Sequence, residues 1–156
     1  TSEGPGDTIE KVVSHGRCPL LAVTDEELPT EMSVLIAYDG KLKSNNAMRA
    51  FAGMNEHFNF SGEVTLLNVS DNPCEGDAVL EKADRYLQAH GLTVKKKVRA
   101  GRPREIIHKT VKEMEAGGKT LLVIGTSGSN EIADYLLGNS IKNILRDGTI
   151  PLFIFH

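Results

Sequence analysis

Several features that would announce a function outright are missing from this sequence. No stretch approaches the roughly 20 apolar residues that a helix needs to cross a bilayer, and no signal-peptide pattern opens the chain. A cytoplasmic location is therefore expected, with no membrane contact in this segment. Basic residues are not in excess: 18 Lys and Arg stand against 21 Asp and Glu, a formal net charge of -3. Binding to a phosphate backbone usually needs a concentrated basic surface, so nucleic acid is not an expected partner. Cysteine occurs only at Cys18 and Cys74, far apart and in no CxxC or Cys/His spacing. The two thiols are expected to be reduced and buried or semi-buried.

Catalytic signatures are equally scarce. The five histidines, His15, His57, His90, His108 and His156, show no metal-ligand spacing such as HExxH, and none lies in a Ser or Cys nucleophile motif. They read as surface or helix-end residues. The run GKLKS at Gly40 to Ser44 lacks the first Gly and the four-residue spacer of a P-loop. No catalytic residue and no metal ligand is assigned, and the expectation is a protein that is not an enzyme, with at most slow, incidental hydrolysis.

What is present is regular. From Met32 onward, short β-branched apolar runs alternate with stretches of helical period, the signature of βαβ units around a parallel sheet. Five strands are expected, at Val34 to Tyr38, Val64 to Val69, Leu92 to Val98, Thr120 to Ile124 and Leu152 to Phe155. Four helices are expected between them. Ser44 is placed as N-cap of the first, which carries Ala47, Phe51, Met54 and Phe58 on one face. The second carries Val79, Leu80, Ala83, Tyr86 and Leu87 and stops at His90-Gly91. The third has Pro103 in its first turn, Ile107, Val111 and Met114 inward, and an end at Gly117-Gly118. The fourth runs through Ile141, Ile144 and Leu145 to Gly148. With 156 residues the chain has room for one domain and a remnant, not two domains.

The remnant has a pattern of its own. Thr8 to Val23 aligns without a gap on Ser140 to Phe155 at an offset of 132, placing Ile9 on Ile141, Gly16 on Gly148, Pro19 on Pro151 and Leu20 on Leu152. The offset is about one domain length, so residues 1–29 read as the last helix and strand of a preceding, degenerate or truncated copy, and 30–156 as a complete domain. Leu152 to Phe155 is apolar and would be sticky as a sheet edge, and Leu20 to Val23 is its natural cover, running antiparallel within the chain or in a partner chain. Lys95, Lys96 and Lys97 are expected to protect the opposite edge from pairing.

Three short stretches stand at the carboxyl ends of expected strands, where open α/β sheets bind ligands. They are Ala37-Tyr38-Asp39-Gly40, Asn68-Val69-Ser70-Asp71, and Gly125-Thr126-Ser127-Gly128. The last is followed after nine residues by Gly138-Asn139-Ser140 at a helix start.

Here the sequence resembles the universal stress protein family over residues 32 to 156. The carrying stretches are VLIAYDG, LLNVSDN, AGRPREII, and VIGTSGSNEIADYLLGNS running into IPLFIF. The longest matches the pattern of the ATP-binding branch, Gly, two residues, Gly, nine residues, Gly and then Ser or Thr, with Asn139 where Ser or Thr belongs. The resemblance implies an α/β fold, a five-stranded parallel open sheet of order 3-2-1-4-5 with helices on both faces. It implies an adenine nucleotide such as ATP, with or without Mg2+, lined by Ala37, Asp39, Val69, Gly125, Gly128, Gly138, Asn139 and Ser140, with the Val69 backbone reading adenine. It also implies a homodimer or tandem-domain pairing through the last strand. Glycines let main chain approach phosphate, and helix N-termini favour anions. Glu131 and Asp134 would repel phosphates if they point inward, and Lys41 would compensate as a point charge.

Two readings stay open. The first is a stress-response regulatory module that binds an adenine nucleotide and signals through shape or oligomeric state. The other is a dimerisation or interaction domain without nucleotide, such as the soluble C-terminal region of a larger protein like a transporter.

Overall fold

The computed structural model describes residues 18–23, 27, 29, 31–58, 63–125 and 150–155. Its elements, in chain order, are β1 (Leu20–Ala22), β2 (Ser33–Ala37), α1 (Leu42–Phe58), β3 (Val64–Val69), α2 (Pro73–Ala89), β4 (Val94–Arg99), α3 (Pro103–Glu115), β5 (Thr120–Gly125) and β6 (Leu152–Phe155). The fourth expected helix, and the helical part of the front segment, lie outside the described residues.

Near-continuous aliphatic runs form the central strands because both faces of the sheet are covered. Alternation along each strand divides the side chains into two layers. Val34, Ile36, Val64, Leu66, Leu121, Val123 and Phe153 share one core with Ala47, Met48 and Phe51 of α1 and Leu80, Ala83 and Leu87 of α2. Leu35, Leu67, Leu122, Ile124, Leu152 and Ile154 share the other with Val111 of α3. Each large aliphatic side chain fully buried this way contributes about 1.5–3 kcal/mol relative to exposure.

The sheet has six strands in the order β1-β6-β5-β2-β3-β4. β2 to β6 run parallel, and counting only these five from the amino end reproduces the expected order 3-2-1-4-5. β1 is the exception. It pairs antiparallel with β6 in the register Leu20↔Ile154, Leu21↔Phe153 and Ala22↔Leu152, so within this chain the front strand covers the last one.

Local chemistry sets the helix ends, with one correction. α2 starts where Asn72 Oδ1 accepts the N–H groups of Cys74 at 3.1 Å and Glu75 at 3.4 Å, with Pro73 in the first position. It ends at His90, and Gly91 follows at φ 79, as the His90-Gly91 stop anticipates. Ser44, however, is not the N-cap of α1. That helix begins two residues earlier, at Leu42, because Asp39 and the left-handed Gly40 turn already organise its start, and Ser44 serves inside the first turn. β2 stops at Ala37 rather than Tyr38, and β4 starts at Val94 rather than Leu92 and runs on to Arg99.

The cysteines also depart from expectation, since Cys18 and Cys74 are both free and exposed. Cys18 precedes an edge strand, and Cys74 lies on the outer side of the first turn of α2. Neither position offers an inward-facing site.

Candidate functional site

Strand order changes direction between β2 and β5. From β2 the chain goes through α1 to β3 on one side, whereas β5 and β6 lie on the other. The carboxyl ends of β3, β2 and β5 therefore meet at a switch point, and a doubly wound sheet has its natural crevice there. Ala37, Asp39, Val69 and Gly125 all stand at these ends. Gly128, Gly138, Asn139 and Ser140, together with Glu131 and Asp134, lie outside the described residues.

Ala37 and Val69 are half-buried and share the α3 side of the sheet, where Ile106 and Ile107 also pack. The floor beside the strand ends is thus apolar. Asp39 sits above it, exposed, and its carboxylate is held in place. Oδ1 accepts the Ser44 hydroxyl at 2.6 Å and the Lys41 N–H at 2.9 Å. Ser44 Oγ in turn accepts the Asp39 N–H at 3.3 Å. This reciprocal pair does the work of a capping box around the Gly40 turn. Both bonds to the carboxylate fall on Oδ1, and among the described residues Oδ2 has no hydrogen-bond partner, so its lone pairs can face a ligand hydroxyl.

Gly125 has a packing reason to be glycine. A Cβ there would overlap the Lys43 carbonyl group and stand 2.7 Å from Ser44 N, so the end of β5 passes directly against the first turn of α1. Any larger residue would push that turn, and Asp39 with it, away from the crevice. Tyr38 reinforces the wall. It is buried, its hydroxyl donates to Asn45 Oδ1 at 3.5 Å, and its pKa is raised by burial and then by the Asp39 charge, against a smaller lowering by Arg49.

Arg99, at the end of β4, is already committed. Its Nη2 lies 2.8 Å from Glu113 and its Nη1 donates to Thr110 at 3.2 Å, which fastens it to α3. The Glu113 carboxyl is held below its usual range by that hydrogen bond. Among the described residues no group of three His, Cys, Asp or Glu side chains could hold a metal ion.

The sequence reading placed Asn68 in a strand-end stretch but assigned its side chain no role. Asn68 is buried at an inward position of β3, and its Nδ2 donates to the Tyr38 carbonyl at 2.9 Å. The signal was there, a single amide in the run VTLLNV that continues the apolar face of Val64 and Leu66.

The architecture and crevice define the chain as a doubly wound α/β domain of the switch-point type. The universal stress protein family model matches residues 72–156, more than half of the chain, and the chain belongs to that family. Universal stress protein Slr1230 of Synechocystis is 24% identical over 151 residues, spanning 97% of this chain and 51% of the relative. The chain thus spans about half the length of the curated relative it matches. A universal stress protein from Archaeoglobus fulgidus has a similar structure, with TM-score 0.68, 20% identity and coverage of 94% of this chain and 52% of that one. A universal stress protein solved in complex with cAMP has TM-score 0.61 and 24% identity, covering 80% of this chain and 96% of that one. These structures support the fold.

Proposed function

We propose that this chain is a regulatory domain that binds an adenine nucleotide at the carboxyl end of its sheet and responds through shape or association rather than rapid turnover, in the cytosol. The observation that carries the reading is the Asp39 carboxylate, fixed by the Ser44 hydroxyl and Lys41 N–H through one oxygen and without a partner among the described residues at the other, above a half-buried Ala37 and Val69 floor. An acid in that place accepts ribose hydroxyls, and an apolar floor accepts a purine face. A structurally similar universal stress protein is a cAMP complex, which supports an adenine ligand. The spacing of Gly125, Gly128 and Gly138 supplies the phosphate end of the reading, with Asn139 as amide donor in place of a hydroxyl and ATP taken with or without Mg2+.

The second reading, an interaction domain without nucleotide, is favoured by Gly125. Its contact with Lys43 and Ser44 accounts for that glycine without any ligand.

The front segment belongs to the same proposal. Residues 1–29 are read as the end of a preceding repeat and 30–156 as the domain. The strand register supports this in an unforeseen way. The repeat offset of 132 carries Leu21 onto Phe153, the residue it faces, and carries Leu20 and Ala22 onto Leu152 and Ile154, which face Ala22 and Leu20. The pairing maps onto itself, as an isologous two-fold contact between two copies would. A relative about twice the length is consistent with two such units in one chain.

The experiment is to denature the purified protein, identify any released nucleotide, and titrate ATP and AMP calorimetrically with and without magnesium, with Gly128→Val and Asp39→Ala as controls. Retained nucleotide, or micromolar binding lost in both variants, supports the first reading. No binding at millimolar nucleotide overturns it in favour of the second.

A further inference from the structure

Asn68 is a residue the core does not need. It stands 5% exposed on the face of β3 that α1 and α2 cover, and its Oδ1 is buried without a hydrogen-bond partner. A buried acceptor left unpaired is destabilising, so an aliphatic side chain would serve packing better. The fold nonetheless makes room for the amide. A Cβ on Gly76 of α2 would overlap Val98 Cγ1 and come within 3.0 Å of Asn68 Oδ1.

The function of the amide shows in the ladder. Pairing of β2 with β3 ends at Ala37↔Leu67, where the Tyr38 N–H donates to the Leu67 carbonyl at 2.9 Å. In a parallel ladder the N–H and C=O of one residue point to the same neighbour, alternating along the strand. The next rung would therefore bring the Val69 N–H to the Tyr38 carbonyl. Asn68 Nδ2 takes that carbonyl instead, at 2.9 Å. On the far side, the rung to β4 uses the Ser70 N–H, which donates to the Arg99 carbonyl at 2.9 Å. The main-chain groups of Val69 thus point away from β4, towards a β2 that has already turned off into the Asp39 turn.

The geometry points to Asn68 as a positioning residue: its side chain substitutes for the last β2–β3 rung, and so keeps the N–H and C=O of Val69 unpaired for the hydrogen-bonding edge of a heteroaromatic base. The identity of the base rests on the nucleotide reading above; the open main chain does not. Asn68 also ties the Tyr38 carbonyl to β3, which fixes the take-off of the strand that carries Asp39. One side chain therefore sets the distance between the two halves of the crevice.

The test is amide hydrogen exchange by NMR on the wild-type chain and on Asn68→Leu, with Asn68→Ala as a second variant should the first fail to fold, followed by AMP titration of each. In the wild type the Val69 N–H exchanges about tenfold or more faster than those of Leu67 and Ser70. In the variants the freed Tyr38 carbonyl accepts the Val69 N–H, whose exchange slows by about tenfold, while AMP affinity falls about tenfold. The melting temperature of Asn68→Leu stays level or rises, because the orphaned acceptor is gone, and a merely structural Asn68 would do the opposite. A Val69 amide as protected as that of Ser70 in the wild type overturns the inference. So does AMP affinity that is unchanged in variants whose exchange has shifted. If the wild type binds no nucleotide while exchange behaves as expected, the nucleotide reading falls and the role of Asn68 in holding the main chain open stands.

Discussion

The two edges of the sheet face the same hazard and meet it by opposite means. β4 is one edge, and it carries charge on both of its faces. Lys96 lies 3.0 Å from both Asp77 and Glu81 of α2, Lys95 lies 3.6 Å from Glu63, and Arg99 lies 2.8 Å from Glu113 of α3. A chain pairing with this edge would have to accommodate those charged side chains and their partners. β6 has no charge to offer. Leu152, Phe153 and Ile154 are 0–2% exposed, and the strand is kept from other chains by β1, three residues long and itself partly exposed at Leu21. One edge is guarded by its own sequence. The other depends on a segment more than a hundred residues away.

The largest expected effect tests the apolar side. Phe153 packs edge-on against Phe51 with ring centroids 6.3 Å apart, so Phe153→Ala costs about 3–5 kcal/mol in chemical denaturation. Lys97→Ala on β4 stays within about 0.5 kcal/mol. Equal losses would break the contrast between a packed edge and a charged one.

Detaching the cover comes next. Leu20→Asp combined with Leu21→Asp puts carboxylates into β1 and removes it from β6, at a cost of about 1–2 kcal/mol. The uncovered β6 then drives concentration-dependent dimer formation, measured by sedimentation equilibrium. A variant that remains as monomeric as its parent would show that β1 is not what closes this edge.

A smaller change is expected from Lys95→Thr with Lys97→Thr. The folded state barely moves, but the unguarded β4 edge gives earlier onset of light scattering on heating. Scattering onset unchanged from the wild type would mean that charge is not the guard.

The smallest effect is a pH dependence confined to the charged edge. Hydrogen bonds from Lys96 hold the Glu81 carboxyl below its usual range, and hydrogen bonds to Asp77 and Glu81 raise Lys96. The Glu81 contribution is complete above the unfolded value of about 4.3 and is lost as pH falls through the lower folded value. The Lys96 contribution is complete below about 10.4 and is lost as pH rises through the higher folded value. Lys96→Met should flatten both flanks of the stability profile, whereas Phe153→Ala lowers the whole curve without changing its shape. A Lys96→Met profile parallel to the wild type would count against the pairing.

Legibility differed from residue to residue for physical reasons. Strand runs such as VTLLNV and TLLVI, the helix stops at Gly91 and Gly118, and Lys95 to Lys97 on an edge are local patterns, and the structure places them as read. Ser44 was misplaced because Asp39 and Gly40, outside the helical period, organise the start of α1. The cysteines were misjudged because a residue-type preference for burial says nothing about which side of a helix turn a position occupies. At the site, Asp39, Ala37 and Val69 were legible as strand-end residues. The engagement of Asp39 with Ser44, the contact of Gly125 with α1 and the room Gly76 leaves for Asn68 were not.

By itself, the sequence determined the alternation of strands and helices, the two apolar faces of each central strand and the charged β4 edge, because these follow from periodicity and side-chain chemistry within a few residues. Only the tertiary structure decided that β1 covers β6 within the same chain rather than in a partner, that Gly125 must admit a helix turn, and that Asn68 stands in for a missing rung. Those depend on which main-chain groups distant segments bring together, and no local pattern records where a neighbouring strand stops.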